Sequence, residues 1–144
     1  MASERLQELK RNGSPAVLLY GDADRFKMVN DTYGHDVGDQ VLRLIADTLR
    51  THLRSSDVVA RLGGDEFTAL LPDTDISSVL EIQEKLQRAL AAAASKSDCP
   101  ATIGMSIGVA IFDPATPDSV DVLLQRADRD LYDIKGTRRR ARAA

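Results

Sequence analysis

Residues 57–71 read DVVARLGGDEFTALL, two short apolar segments that are separated by Gly63, Gly64 and a pair of acidic residues. Both apolar segments have the length and composition of β-strands. Paired glycines supply the positive φ angles that a tight turn needs, so the stretch predicts a β-hairpin. Asp65 and Glu66 then lie where the second, buried strand begins. Adjacent carboxylates repel each other, so they are either solvated at the turn or held by a positive partner.

The rest of the chain alternates between helical and extended segments. In segment 37–54 the apolar residues recur at helical spacing, which predicts a long amphipathic helix. In segment 102–112 large apolar residues alternate with Gly, Ser and Ala, which predicts a strand whose small-residue face lets a neighbour approach closely. The full predicted order is a short helix closed at Asn12, strand 16–20, helix 37–54, strands 57–62 and 66–71, helix 76–94, strand 102–112 and helix 119–135. This order predicts an α+β domain that resembles ferredoxin-like folds, with a largely antiparallel central sheet flanked by helices.

Composition narrows the class of protein. The chain has 144 residues, of which 43% are hydrophobic and 28% charged, so one globular domain is predicted. We expect this domain to span residues 1–137 and the basic segment 138–144 to form a solvated tail. The net charge of −3 gives no field that would attract nucleic acid. No apolar run is long enough to cross a membrane, and the single cysteine, Cys99, suits a reducing compartment, so a cytoplasmic location is predicted.

Acidic residues also follow the first predicted strand. Asp24 is predicted to be the N-cap of a helical segment at 25–30. Asp22 ends a buried strand and therefore needs a partner. If the hairpin lies beside this strand, Asp22 approaches Asp65 and Glu66, and such a group of carboxylates would suit Mg²⁺. The alternative is that the hairpin acids are merely solvated at a turn.

Asn30 and Asp39 each have a local and a functional interpretation. Locally, residues 36–39 resemble a capping box that opens the long helix, and Asp39 suits its positive end. Functionally, a carboxylate accepts the two adjacent donors of the guanine edge, and an Asn supplies a donor and an acceptor. Such a site would select GTP over ATP. His35 is predicted to be a turn residue packed near Tyr33.

Several motifs occur in a characteristic order along the chain. They are D-x-D-x-F-K at 22–27, N-D-x-Y-G-H at 30–35, G-D at 38–39, R-x-G-G-D-E-F at 61–67, S-I-G-V-A at 106–110 and A-D-x-x-L-Y-x-x-K at 127–135. Together they resemble the GGDEF family of diguanylate cyclases. The resemblance implies a fold similar to the class III nucleotide cyclase palm and a role in bacterial second-messenger signalling. It implies that two GTP condense to cyclic di-GMP and two pyrophosphates between two copies of the domain, a homodimer that need only be transient.

The same resemblance implies roles for particular residues. Asp22 and Asp65 look like ligands of a Mg²⁺ or Mn²⁺ cofactor, together with the backbone carbonyl of Ala23. Asp65 also matches the base toward the attacking hydroxyl, and Glu66 is similar to the second catalytic acid near metal and phosphates. The implied substrate-binding residues are Asn30, His35, Asp39, Gly63, Gly64, Lys135 and Arg139.

The chain departs from the family pattern at both ends. The family usually opens with a D-x-L-T…N-R segment, whereas this chain starts at MASERLQELK, so we expect a piece of a longer, sensor-bearing protein. The family ends its last helix with K-x-x-G-R-N. Here Arg139 takes the arginine position, but Arg138 and Arg140 replace the Gly and Asn. The motif therefore does not decide whether Arg139 contacts phosphate.

Arg54 and Asp57 form an R-x-x-D motif with two interpretations. Locally, Arg54 suits a helix C-terminus and Asp57 the start of a strand. By resemblance, the pair matches an inhibitory site for the product, to which Lys85 would contribute.

An intact signature favours an enzyme over a module that binds GTP or cyclic di-GMP without turnover. Asp39 argues against a mixed guanine–adenine product.

Overall fold

The computed structural model describes the backbone of residues 2–143 and the side chains of residues 4–135. Its elements are α1 (Ala2–Asn12), β1 (Ala16–Ala23), α2 (Phe26–Tyr33), α3 (His35–His52), β2 (Val58–Gly63), β3 (Glu66–Pro72), a 3-10 turn (Ile76–Ser78), α4 (Val79–Lys96), β4 (Met105–Phe112) and α5 (Val120–Ala143). This order confirms the predicted α+β class. β1 continues past its predicted end to include Asp22. Arg139 and the rest of the basic segment lie outside the residues whose side chains are described.

The strands form an antiparallel sheet in the order β2-β3-β1-β4. β1 lies between β3 and β4, pairing Asp22 with Glu66 on one side and with Ser106 on the other. Because the pairing is antiparallel, the end of β1 lies beside the beginnings of β3 and β4. Residues that are far apart in sequence therefore meet at one end of the sheet, which carries the candidate site.

Helices cover both faces of the sheet, and each face has its own apolar core. The first core joins β1 residues such as Val17 and Leu19 to Val41 and Ile45 of α3 and to Leu86 of α4. The second core packs α1 and α5 against the opposite face of the sheet. Strand residues alternate between the two cores because successive side chains point to opposite faces. The buried Val41 and Ile45 of α3 confirm the amphipathic helix that the sequence predicts within 37–54.

The predicted close approach at the small-residue face of β4 is also confirmed. A Cβ atom added at Gly108 would lie 2.1 Å from the backbone oxygen of Ala127 and 2.6 Å from the backbone nitrogen of Leu131. Asp130 adds a polar tie, because its carboxylate accepts the backbone N–H of Val109 at 2.8 Å. The backbone of α5 is thus held directly against β4. This contact fixes the helix one turn before Lys135.

Within residues 2–143, no helix combines the length and the apolar character that crossing a membrane requires.

Candidate functional site

The β2–β3 hairpin presents its two acids at the sheet end where β1 stops. Glu66 pairs with Asp22 across the sheet, and the backbone N–H of Ala23 donates to the backbone oxygen of Asp65 at 3.1 Å. Asp65 and Glu66 are half-buried. The juxtaposition of Asp22 with the hairpin acids, which the sequence predicts, is therefore confirmed. The roles of these residues stay predictions.

The hairpin turn has the glycine geometry that the sequence predicts. Gly63 and Gly64 have φ angles of 155° and 41°, and Gly63 pairs with Glu66. Arg61 closes the turn, since its guanidinium donates to the backbone oxygen of Gly64 at 3.0 and 2.7 Å. A side chain at either glycine would be strained by its φ angle, so the turn presents bare, exposed backbone next to Asp65.

Asp22 has an unusual environment for a carboxylate. One oxygen, Oδ2, accepts from the ammonium of Lys135 at 2.5 Å. The other, Oδ1, is buried and has no hydrogen-bond partner among the described residues. Burial raises the pKa of Asp22; the hydrogen bond and charge of Lys135 oppose this rise, and the negative charges of Asp65 and Asp24 add to it. The site therefore holds more negative charge than Lys135 neutralises.

These residues fit a divalent cation in their chemistry. Mg²⁺ and Mn²⁺ prefer oxygen ligands. Oδ1 of Asp22, unpaired within residues 4–135, is such a ligand at a site with excess negative charge. Among the described side chains, however, no group of three or more His, Cys, Asp or Glu residues is arranged to hold a metal ion. Asp22 thus provides one fixed oxygen, and the contributions of Ala23, Asp65 and Glu66 remain predicted ligands.

Tyr20 belongs to this site, although it lies just before the first of the sequence motifs. It precedes Asp22 by two residues, so both side chains lie on the face of β1 that α5 covers. Burial raises the pKa of Tyr20 far above its ordinary value, and so do a hydrogen bond with Glu66 and the charges of Glu66, Asp128 and Asp22. The phenol therefore stays protonated at neutral pH and acts as the donor to Glu66. The period-two pattern of the strand is the only sequence signal for it.

Asp24 does not cap a helix, so that prediction is wrong. The cap position of α2 is Arg25, which has a φ of 53° and makes no side-chain cap hydrogen bond. Asp24 instead accepts from the hydroxyl of Ser106 at 2.6 Å, and its backbone N–H donates to Gly104 at 2.9 Å. A tertiary contact with the start of β4 has taken the carboxylate that a local rule assigned to the helix.

Asn30 also has an unsatisfied polar atom. Its side-chain oxygen is buried and has no partner among the described residues. Gly38 of α3 lies directly against it, since an added Cβ would be 2.0 Å from this oxygen. A buried amide oxygen without a partner costs free energy, so this geometry suits a residue that contacts a ligand.

Asp39 lies on the exposed surface of α3, and the capping-box prediction for residues 36–39 is wrong. The helix begins earlier, at His35, after Gly34 and without a side-chain cap. His35 is therefore an exposed helical residue rather than a turn residue. Asp39 lines a cleft of about 440 Å³ between α3 and β2, together with Leu42, Arg43, Ala46, Arg50, Val59, Ala60, Arg61 and Phe67. This cleft reaches the hairpin that carries Asp65.

Arg54 and Asp57 form a compact polar unit at the end of α3. The guanidinium of Arg54 lies 2.9 Å from a carboxylate oxygen of Asp57 and also donates to Pro72 and Thr74 at 2.7 and 2.9 Å. The side chain of Asp57 is only 2% exposed, whereas that of Arg54 is 54% exposed. Arg54 thus lies just past the end of α3 and Asp57 just before β2, and Arg54 in addition connects this end of α3 to the end of β3.

The same pair lines a cleft of about 340 Å³ next to the start of α4. Lys85 also lines this cleft, as do Thr74 and Glu81. The structure thus brings together the three residues of the predicted product site. The exposed part of Arg54 leaves it able to contact a ligand while it keeps its internal hydrogen bonds.

Comparisons with known proteins agree with these motifs. The sequence model of the family described as "Diguanylate cyclase, GGDEF domain" matches residues 1–141. Diguanylate cyclase DgcP of Pseudomonas aeruginosa is 38% identical over 139 residues, 92% of this chain, and response regulator PleD of Caulobacter vibrioides is 36% identical over 137 residues, 90% of this chain. The chain spans 20% and 29% of the length of these two relatives.

A solved structure gives the same result for the fold. The GGDEF domain of DgcB from Caulobacter crescentus, solved in complex with c-di-GMP, superposes with a TM-score of 0.83 at 30% identity. The match covers 94% of this chain and 81% of the solved chain. The family signature thus maps onto the hairpin and sheet end described above, and the chain belongs to the GGDEF domain family of diguanylate cyclases.

Proposed function

We propose that this chain is a diguanylate cyclase domain that condenses two GTP into cyclic di-GMP and two pyrophosphates. The observation that carries the proposal is the buried oxygen of Asp22 that has no hydrogen-bond partner among side chains 4–135, at the sheet end opposite Glu66 of the family signature. A buried carboxylate oxygen without a hydrogen bond lowers the stability of the fold, and a bound cation with its phosphate ligand would offset that loss.

The reaction needs few protein groups. The 3′-hydroxyl of each GTP attacks the α-phosphate of the other, so that each new P–O bond replaces an α–β bond and releases pyrophosphate. Asp65 takes the proton of the attacking hydroxyl, and the exposed backbone at Gly63 and Gly64 lets the nucleotide approach. Asp22 and Asp65, with the Ala23 carbonyl and Glu66, would hold a Mg²⁺ or Mn²⁺ ion, which would neutralise charge on the triphosphate. Such transfer depends mainly on positioning and charge.

Guanine selection rests on Asn30 and Asp39. The amide oxygen of Asn30, which has no partner within the described part of the chain, suits a donor of the base. The exposed carboxylate of Asp39 suits the adjacent N1–H and N2–H₂ donors of guanine. Adenine lacks this donor pair, so we expect discrimination against ATP. We propose His35 and Arg139 as further substrate contacts, and Lys135 as a phosphate contact.

The reaction requires two copies of the chain, because it joins two GTP molecules and each copy provides only one set of these residues. Each copy would hold one GTP, and the two nucleotides would meet at a transient interface in the cytoplasm. The rate per domain should therefore rise with protein concentration. Product would bind at the cleft lined by Arg54, Asp57 and Lys85 and slow the enzyme.

Incubation of the protein with GTP and Mg²⁺, with products separated by chromatography, tests the proposal. We expect cyclic di-GMP from GTP, no cyclic product from ATP, and a rate per domain that falls on dilution. Asp65→Asn is the matched negative control, because it removes one charge and keeps the side-chain shape. GTP that binds without product, at every protein concentration, would instead favour a non-catalytic GTP- or cyclic di-GMP-binding module.

A further inference from the structure

We infer that Lys135 is the resident counter-ion of Asp22 in the nucleotide-free protein, and that its ammonium competes with a divalent cation for this carboxylate. Metal binding without nucleotide is therefore suppressed by a residue of the protein itself. The inference rests on the site of the proposed function, but it concerns the state of that site before any substrate arrives.

The first support is the contact between the two side chains. Lys135 lies 2.5 Å from Oδ2 of Asp22, although 113 residues separate them in the sequence. The Asp22 side chain is 16% exposed and that of Lys135 is 32% exposed, so the pair is only partly screened by water. An ammonium and a metal ion on one carboxylate repel each other strongly at such a short distance.

The second support is that the ammonium is movable whereas its helix is not. The close contact of α5 with Gly108 and the hydrogen bond from Val109 to Asp130 hold the helix backbone. Leu131 is buried one turn before Lys135, so both lie on the face toward the sheet. A lysine carries its charge on a flexible four-carbon stem, so the ammonium can leave Asp22 while the helix stays in place.

The third support is the asymmetry of the two Asp22 oxygens. Oδ2 has the ammonium, whereas Oδ1 is buried without a partner among the described side chains. The ammonium of Lys135 therefore stabilises the negative charge at only one of the two carboxylate oxygens. A triphosphate that arrives with the metal gives the displaced ammonium a new anionic partner, whereas metal alone brings none. Binding of metal and of nucleotide should consequently be coupled, each favouring the other.

The test is calorimetric titration of Mn²⁺ into the nucleotide-free protein. We expect Lys135→Gln to bind Mn²⁺ roughly tenfold more tightly than the wild type, because the competing charge is gone. Lys96→Gln, at the exposed end of α4, makes the same charge change far along the chain and should leave the affinity unchanged. Asp22→Asn should abolish the tight binding and so identifies the site.

Lys135→Met keeps the length of the stem and serves as a second variant if the glutamine variant is poorly folded. Thermal unfolding gives an independent measurement, since added Mn²⁺ should raise the melting temperature of the Lys135 variants more than that of the wild type. Equal or weaker Mn²⁺ binding in folded Lys135 variants would overturn the inference. The titration contains no nucleotide, so its result is independent of whether the protein makes cyclic di-GMP.

Discussion

The contact between α5 and β4 at Gly108 allows a quantitative prediction. In Gly108→Ala the new methyl carbon would lie 2.1 Å from the Ala127 oxygen, 2.6 Å from the Leu131 nitrogen and 2.9 Å from the Leu131 Cβ. Two of these atoms are backbone, so a side-chain rotation cannot relieve the overlap. The helix must move away from the sheet by roughly 1 Å or more to restore ordinary contact distances.

Such overpacking costs about 1–3 kcal/mol, and we expect the upper part of this range because the clash involves backbone. For a domain of this size, a loss of roughly 3 kcal/mol lowers the melting temperature by about 10 °C. The displacement would also move Lys135, which lies one turn after Leu131, away from Asp22. Urea unfolding at equilibrium and a thermal scan of the purified variant measure the stability change.

Gly21→Ala is the matched control on the neighbouring strand. Its added Cβ would lie 3.2 Å from the Ser106 oxygen and otherwise 3.4 Å or more from the flexible Met105 side chain. A shift of a few tenths of an ångström relieves this contact, so we expect a loss below about 1 kcal/mol. If both variants unfold at the same urea concentration, the close packing of α5 on Gly108 contributes no more to stability than the ordinary contact at Gly21.

Other variants test the site. Asp22→Asn should lower turnover roughly a hundredfold or more. At pH 7 the metal-free variant should be at least as stable as the wild type. Burial raises the pKa of Asp22, so the stability that the protonated carboxyl contributes in the wild type is lost as pH rises through the pKa of the folded protein. The difference in unfolding free energy between the wild type and Asp22→Asn should disappear below about pH 4. Arg54→Ala should weaken cyclic di-GMP binding roughly tenfold to a hundredfold in calorimetry, and should cost stability because buried Asp57 loses the guanidinium, although it keeps the backbone N–H of residue 54. Tyr20→Phe removes the donor to Glu66 and should lower turnover about three- to tenfold; unchanged kinetics would leave Tyr20 with a packing role alone.

Local physical chemistry in the sequence determined the framework of the site. The Gly-Gly pair between two apolar segments specifies the hairpin, since only glycine takes those turn angles without strain. Alternating small and large residues in 102–112 predicted the side of β4 that α5 approaches. Both inferences depend on periodicity or turn geometry, which a short segment carries by itself. The approach of Asp22 to Glu66 was predicted only on the condition that β1 lies beside the hairpin, and the strand pairing supplies that condition.

Tertiary structure alone decided which partners the polar side chains have. Asp24 was predicted to cap a helix but accepts from Ser106, 82 residues away. Lys135 reaches Asp22, and Tyr20 lies beside Glu66, only because strand pairing and the packing of α5 bring distant segments together. A capping preference is worth about 1 kcal/mol, and hydrogen bonds to charged groups contribute as much or more. A local rule for a polar residue therefore fails wherever the fold offers a better partner, and that partner is specified by no segment of the chain on its own.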